Sequence, residues 1–181
     1  MDTGVIIAIV VIAVLAVLAI AAFLAMQRRQ SGHLRERFGP EYDRAVAGSD
    51  RRRDAERELS EREKRVEKLR LREIEPEQRS AYAEEWKAVQ ARFVDQPAEA
   101  VGQADELVQR VMDARGYPLA GFDRQAADIS VDHPDVVTNY RAAHSIAETA
   151  RKDGATTEEL RQAMVHYRAL FSELLGAVPV R

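Results

Sequence analysis

The sequence predicts an all-α protein: an N-terminal transmembrane helix, a long charged helix, then a bundle of about four amphipathic helices. Three observations lead there. Residues 4–26 carry no charged side chain. From residue 76 onward, apolar residues recur at spacings of three and four, the period of one helix face. Glycine and proline are scarce and fall mostly where such helices start or stop, and no stretch alternates as a strand does.

With its first segment assigned to a membrane, the chain keeps about 150 residues, enough for one modest domain with its own core. Charged residues make up 31% of the whole, so the part beyond the apolar run is densely charged, as solvated helices are. Arginine outnumbers lysine 23 to 4, which reads as codon bias in a GC-rich genome, since both solvate a helix face. The absence of cysteine excludes disulfides, Cys-ligated zinc, iron–sulfur clusters and thiol nucleophiles, and leaves the compartment open.

The apolar run, Gly4 to Met26, is long enough to span about 34 Å as a helix, against a hydrocarbon core of about 30 Å. A cleavable signal peptide fits less well: nothing basic precedes the run, and it exceeds the usual apolar length of about 7–15 residues. Only Asp2 precedes the run, whereas Arg28, Arg29, Arg35 and Arg37 follow it. The positive-inside rule therefore predicts a single-pass protein of the cell membrane, with residues 1–3 outside and the C-terminal domain in the cytoplasm. The same four arginines are the candidate contacts to anionic lipid headgroups, which makes the lipid bilayer the first expected partner. Gly4 with Ala8, and Ala21 with Ala25, have small-xxx-small spacing, a weak dimerisation signal in so alanine-rich a span.

Residues 27–48 form a basic juxtamembrane segment with one brief helix: Pro40 suits a first helical position, Tyr42 and Val46 stack one turn apart, and Gly48 ends it. Residues 49–75 read as a charged spacer helix capped by Ser49 or Asp50. Its Leu59, Val66 and Leu69 fall at heptad-like positions, but Arg52, Arg62 and Glu73 interrupt them. A narrow apolar stripe packed on the downstream domain is therefore favoured over a sustained coiled coil, with self-association as the alternative. Glu58 and Arg62, and likewise Glu61 and Arg65, are spaced for ion pairs within the helix.

Residues 76–176 read as the bundle, and 177–181 as a tail. Pro76 opens a helix whose Tyr82, Trp86, Val89 and Phe93 share one face, a core face or, alternatively, a ligand or partner surface. Pro97 opens the next, closed by Gly116 and Pro118. A loop is expected from Tyr117 to about Asp132. Asp132-His133-Pro134 then reads as an N-cap region for a helix with Val137, Tyr140, His144 and Ala147 inward, ended by Asp153-Gly154. Thr156 and Glu159 make a capping box, and Leu160, Ala163, Met164, Tyr167, Leu170, Phe171 and Leu174 give the strongest stripe in the chain, closed by Gly176.

Charge divides unevenly. Residues 27–75 hold 15 basic and 12 acidic side chains, and residues 76–181 hold 12 and 17. An acidic distal bundle argues against nucleic acid as a partner. No nucleophile elbow, P-loop, dinucleotide fingerprint or HExxH occurs. Asp128, Asp132 and His133 are the residues that would hold a divalent cation if one bound, but their spacing matches no calcium loop, and capping explains Asp132 and Asp135. His144, beside Tyr140, reads as a hydrogen-bonded core histidine, and His166 as partly exposed. A haem or di-metal bundle needs matched ligands such as Glu-x-x-His, which is absent, so no cofactor and no catalytic activity are expected.

Leu34-Arg35-Glu36-Arg37-Phe38-Gly39-Pro40-Glu41-Tyr42-Asp43-Arg44, Tyr117-Pro118, Ser130-Val131-Asp132-His133-Pro134 with Tyr140-Arg141 and His144, and Met164-Val165-His166-Tyr167-Arg168 together make a recurring pattern. In these motifs the chain resembles an uncharacterised family of bacterial single-pass membrane proteins, often labelled secreted. The resemblance covers most of the chain beyond the apolar run and implies this architecture without implying an activity. A secreted label would follow from reading the run as a signal peptide. The functional expectation is a membrane-tethered cytoplasmic module that binds a protein partner or itself. A metal- or small-ligand-binding bundle using Asp128, Asp132, His133 and His144 is one alternative. A self-assembling envelope or stress-related structural protein is the other.

Overall fold

A computed structural model describes residues 3–152 and 154–176 as eight helices, with no strand among them. Most of the expected N-terminal segment 1–3, Asp153 of the expected helix stop, and the tail 177–181 lie outside the described residues.

The first helix, α1 (Thr3–Phe38), is one uninterrupted element of 36 residues. It is the one helix among the described residues long and apolar enough to cross a membrane. From Val11 to Met26 its large apolar side chains are exposed, Val17 and Phe23 each by more than 60%. Past the apolar run it continues for about 18 Å instead of breaking into a polar joint. The reason lies at its end, where Leu34 and Phe38 have a core to enter and are buried completely or nearly so.

Gly39, at φ +47, reverses the chain into α2 (Pro40–Ala47), with Pro40 in its first turn. The charged helix α3 (Arg52–Val66) stops nine residues short of the expected Glu75. Residues 67–75 instead form a strap that buries Ile74 and lays Leu69 and Leu71 against the core. The Arg72 amide donates to the Arg115 carbonyl at 2.9 Å. This approach explains Gly116: its φ is +93, and a Cβ there would stand 2.7 Å from the Arg70 carbonyl oxygen.

The bundle proper consists of α4 (Pro76–Arg92), α5 (Pro97–Arg115), α7 (Pro134–Lys152) and α8 (Thr157–Leu174). The expected loop before α7 is instead a helix, α6 (Phe122–Asp132). Its Phe122, Ala126 and Ile129 pack on the bundle, one turn apart, while its Asp128 and Asp132 face α3 and the end of α1. Trp86 stacks on Phe171 at 4.8 Å between ring centroids, and the Thr156–Glu159 capping box starts α8.

A second, smaller core joins the N-terminal helices to this bundle. Leu34, Phe38, Tyr42, Leu59 and Val66 close over Val131 of α6. The stripe of the charged helix thus packs on the downstream domain, and α3 lies along it instead of spacing it from α1.

Candidate functional site at the junction of α1 to α3 with the bundle

Charge and aromatic groups converge where these two cores meet. Glu41, in the first turn of α2, is 2% exposed. Its Oε1 accepts from Arg62 of α3 at 3.0 Å and from Arg141 of α7 at 2.7 Å, with Arg44 at 3.5 Å. One carboxylate therefore ties three elements that lie 21 and 100 residues apart in sequence. Burial pulls the Arg141 guanidinium below its ordinary value, and the Glu41 charge opposes that shift. Such a cluster contributes geometry more than net energy, because desolvating the ions offsets much of their attraction.

Beside it, the Tyr42 hydroxyl donates to Glu56 at 2.7 Å and Arg52 Nε donates to the same oxygen at 2.7 Å. Arg35 and Arg52 lie over the Tyr42 ring at 5.4 and 5.9 Å. Burial pushes the Glu56 carboxyl up, but hydrogen bonds from Tyr42, Arg52 and Ser31 outweigh it and hold Glu56 below the usual carboxylate range.

The acidic cluster is distributed across this seam and does not gather around a common centre. Asp128 is 1% exposed and accepts from Arg65 Nε at 2.7 Å. Asp132 accepts from Arg37 and from the Tyr117 hydroxyl, both at 3.1 Å. His133 Nδ1 lies 3.0 Å from Glu173 of α8. Among the described residues no group of three such side chains is placed to hold a metal. Asp132 is the last residue of α6, not a cap for α7; Asp135 takes the first-turn position there. Of the expected headgroup arginines, Arg37 pairs with Asp132 of α6 and Arg35 with Asp43. Arg28 and Arg29 pair with no carboxylate among the described residues.

Of the aromatic face, Trp86 and Val89 are buried while Tyr82 and Phe93 are half-buried against the core. A shallow cleft of about 150 Å³ borders it, lined by Trp86, Phe93, Met164 and Val165.

His144 lies about 16 Å along α7 from His133, away from the acidic cluster. It stacks on Phe122 at 3.6 Å, and its buried Nδ1 has no hydrogen-bond partner. It borders a cavity of about 360 Å³ with Asp105, Gln125, Tyr140 and Arg151. Asp105, 4% exposed, accepts from the Tyr167 hydroxyl at 2.9 Å, Gln109 at 3.1 Å and Arg151 at 3.3 Å. Burial first, and the Asp105 charge second, push the Tyr140 and Tyr167 phenols well above their ordinary values. Sequence reading missed Asp105; the available signal was an acid set inside the apolar face of Val101, Ala104 and Val108. His166, half-buried, has Nδ1 3.0 Å from the Asn139 side-chain oxygen.

No protein family, curated protein or solved structure matches this chain.

Proposed function

We propose that this chain is a membrane-anchored module whose helices α2 to α8 lie in the cytoplasm and present the bundle surface to a protein partner or to a second copy, without catalysis. One observation carries the reading: the long apolar helix runs unbroken into the buried Glu41–Arg62–Arg141 seam, so the bundle has a fixed orientation on it. A flexible linker suffices for a tether that only localises, whereas a locked junction suits a module that must present one face. The basic flank favours the cytoplasmic side of an anionic membrane.

The test is topology followed by capture. Lys87 is exposed and the chain has no cysteine, so Lys87→Cys gives a single reporter. Protection from an impermeant thiol reagent in intact cells, with labelling after permeabilisation, is the expected result; labelling in intact cells would reverse the orientation. Cross-linking of the full chain in its own membranes should then recover a near-stoichiometric partner or a discrete homo-oligomer. Recovery of monomer alone would overturn the interaction role.

A second reading, a small polar ligand in the Asp105–His144 cavity, is favoured by the unpartnered His144 Nδ1. It expects small carboxylate or amide compounds to raise the melting temperature of the native chain but not of His144→Phe. Equal shifts in both would refute it.

A further inference from the structure

The first three helices run away from the apolar segment, back towards it, and away again. Arg35 pairs with Asp43 as α2 returns, and α3 then climbs parallel to α1, with Gln30 meeting Ser60 and His33 meeting Glu63. The start of α3 is thereby carried back to the level where the apolar run ends. There it closes a cleft of about 440 Å³, bordered by Leu24, Arg28, Arg35, Arg52, Arg53 and Glu56.

We propose that this cleft binds the headgroup of one anionic phospholipid, an inference that rests on α1 being a membrane anchor. Four guanidiniums face one carboxylate, and that carboxylate is already occupied by Tyr42 and Arg52. The arginines divide the work. Arg35, paired with Asp43, and Arg52, paired with Glu56, are fixed in place over the Tyr42 ring. Arg28 and Arg53 pair with no carboxylate among the described residues, which leaves their forked donors free for a phosphate. The positive end of the α3 dipole lies beside these arginines, and the acid of its first turn, Asp54, is paired with Arg57. The base of the cleft is Leu24, half exposed in the last turns of the apolar run. A soluble anion has no use for that base, whereas a phospholipid places its phosphate among the arginines and its acyl chain along Leu24. Arg52 and Arg53 fall outside the juxtamembrane flank in sequence, and only the return of α2 brings them to this level.

The experiment uses the purified full-length chain in mild detergent, with retained lipid counted by native mass spectrometry. Phosphatidylglycerol and phosphatidylcholine of identical acyl chains are the probes. One phosphatidylglycerol should be retained with at least tenfold preference, and Arg28→Gln with Arg53→Gln should weaken it roughly 30-fold, about fivefold for each arginine. Arg110→Gln with Arg168→Gln, on the bundle, should leave it unchanged. Both pairs of sites are exposed, so an unaltered circular dichroism melt is expected for each variant. Equal retention of the two lipids, or a preference that survives Arg28→Gln with Arg53→Gln, would overturn the proposal. Displacement by an equal concentration of inorganic phosphate would do so too, in favour of a soluble anion. Alkaline carbonate extraction of native membranes, run in parallel, separates the two layers of inference. Release of the chain would sink the anchor itself, whereas retention of the chain without lipid preference would sink only the cleft.

Discussion

Replacing Glu41 by glutamine tests whether the junction is held by charge. The substitution keeps the volume but removes the only carboxylate within ion-pair distance of Arg141 among the described residues, while Arg62 keeps Glu58. Arg62 and Arg141 have side chains only 11% and 16% exposed, so water cannot take over from the lost anion. Breaking a buried pair from one side costs about 3–5 kcal/mol, because the partner is left charged and desolvated. For a folded part of this size each kcal/mol shifts the melting temperature by roughly 2–4 °C, so a fall of about 10 °C is expected. Thermal unfolding of the full chain in detergent, followed by circular dichroism, reads it. Hydrogen exchange should localise the loss, with faster exchange in α2 and α3 and little change in α8. A compensated variant, Glu41→Leu with Arg62→Met and Arg141→Met, removes all three charges together. It should recover stability to within about 2 kcal/mol of the native chain, since an apolar replacement of a buried ion cluster is often neutral or better. A Glu41→Gln protein that melts within a degree of the native one would refute the reasoning, as would a triple variant no better than the single.

Three further outcomes follow from the same geometry. Gly116→Ala should lower stability by roughly 2–4 kcal/mol in denaturant unfolding, from the left-handed backbone and the 2.7 Å approach to Arg70 together; an unchanged midpoint would show that the strap is loose. Glu56 titrates lower in the folded chain than in the unfolded one, so its contribution is present at neutral pH and is lost as pH falls through its folded value. The melting-temperature difference between the native chain and Glu56→Gln should therefore be full at pH 7 and shrink below roughly pH 4; a difference independent of pH would contradict this. Asp105→Asn replaces the acceptor of Tyr167, Gln109 and Arg151 and should cost about 1.5–3 kcal/mol by chemical denaturation; a loss under about 0.5 kcal/mol would mean the cavity acid is not a structural anchor.

How much of this was legible in the sequence depended on the range of the interaction involved. The apolar run and α8 were plain, because a uniform composition and a capping box with a seven-residue stripe are local signals. The Glu58–Arg62 pair, one helical turn apart, was also readable, and it forms at 2.5 Å. Its neighbour was not: Arg65, spaced equally well for Glu61, reaches Asp128 across 63 residues. Helix α6 was read as a loop because three aspartates among its eleven residues, just after Tyr117-Pro118, hid the stripe of Phe122, Ala126 and Ile129. Similarly, Leu69 prolonged the apparent stripe of α3, yet it packs from the strap beyond that helix. The partners of Asp128 and Asp132 were hidden for the same reason as the seam. Spacing rules place side chains on a local surface, while Asp128, Asp132 and Glu41 find their partners only after α1 to α3 fold back on the bundle.

The composition of the seam bears on why it is charged at all. The apolar core it borders is small, six buried residues of which only Val131 comes from the bundle side. Burial of that size holds two bodies together but fixes their register weakly, because apolar contact has no direction. Ion pairs from Glu41 to Arg62 and Arg141, from Arg65 to Asp128 and from Arg37 to Asp132 each demand a distance and an angle, and together they leave one arrangement. An unbroken α1, helical straight through Ser31-Gly32 and without a proline, then carries that arrangement along the remaining turns to the apolar run. Rotation of α1 about its own axis must therefore turn the bundle by the same angle, which makes the orientation of the bundle a property of how α1 sits in its surroundings.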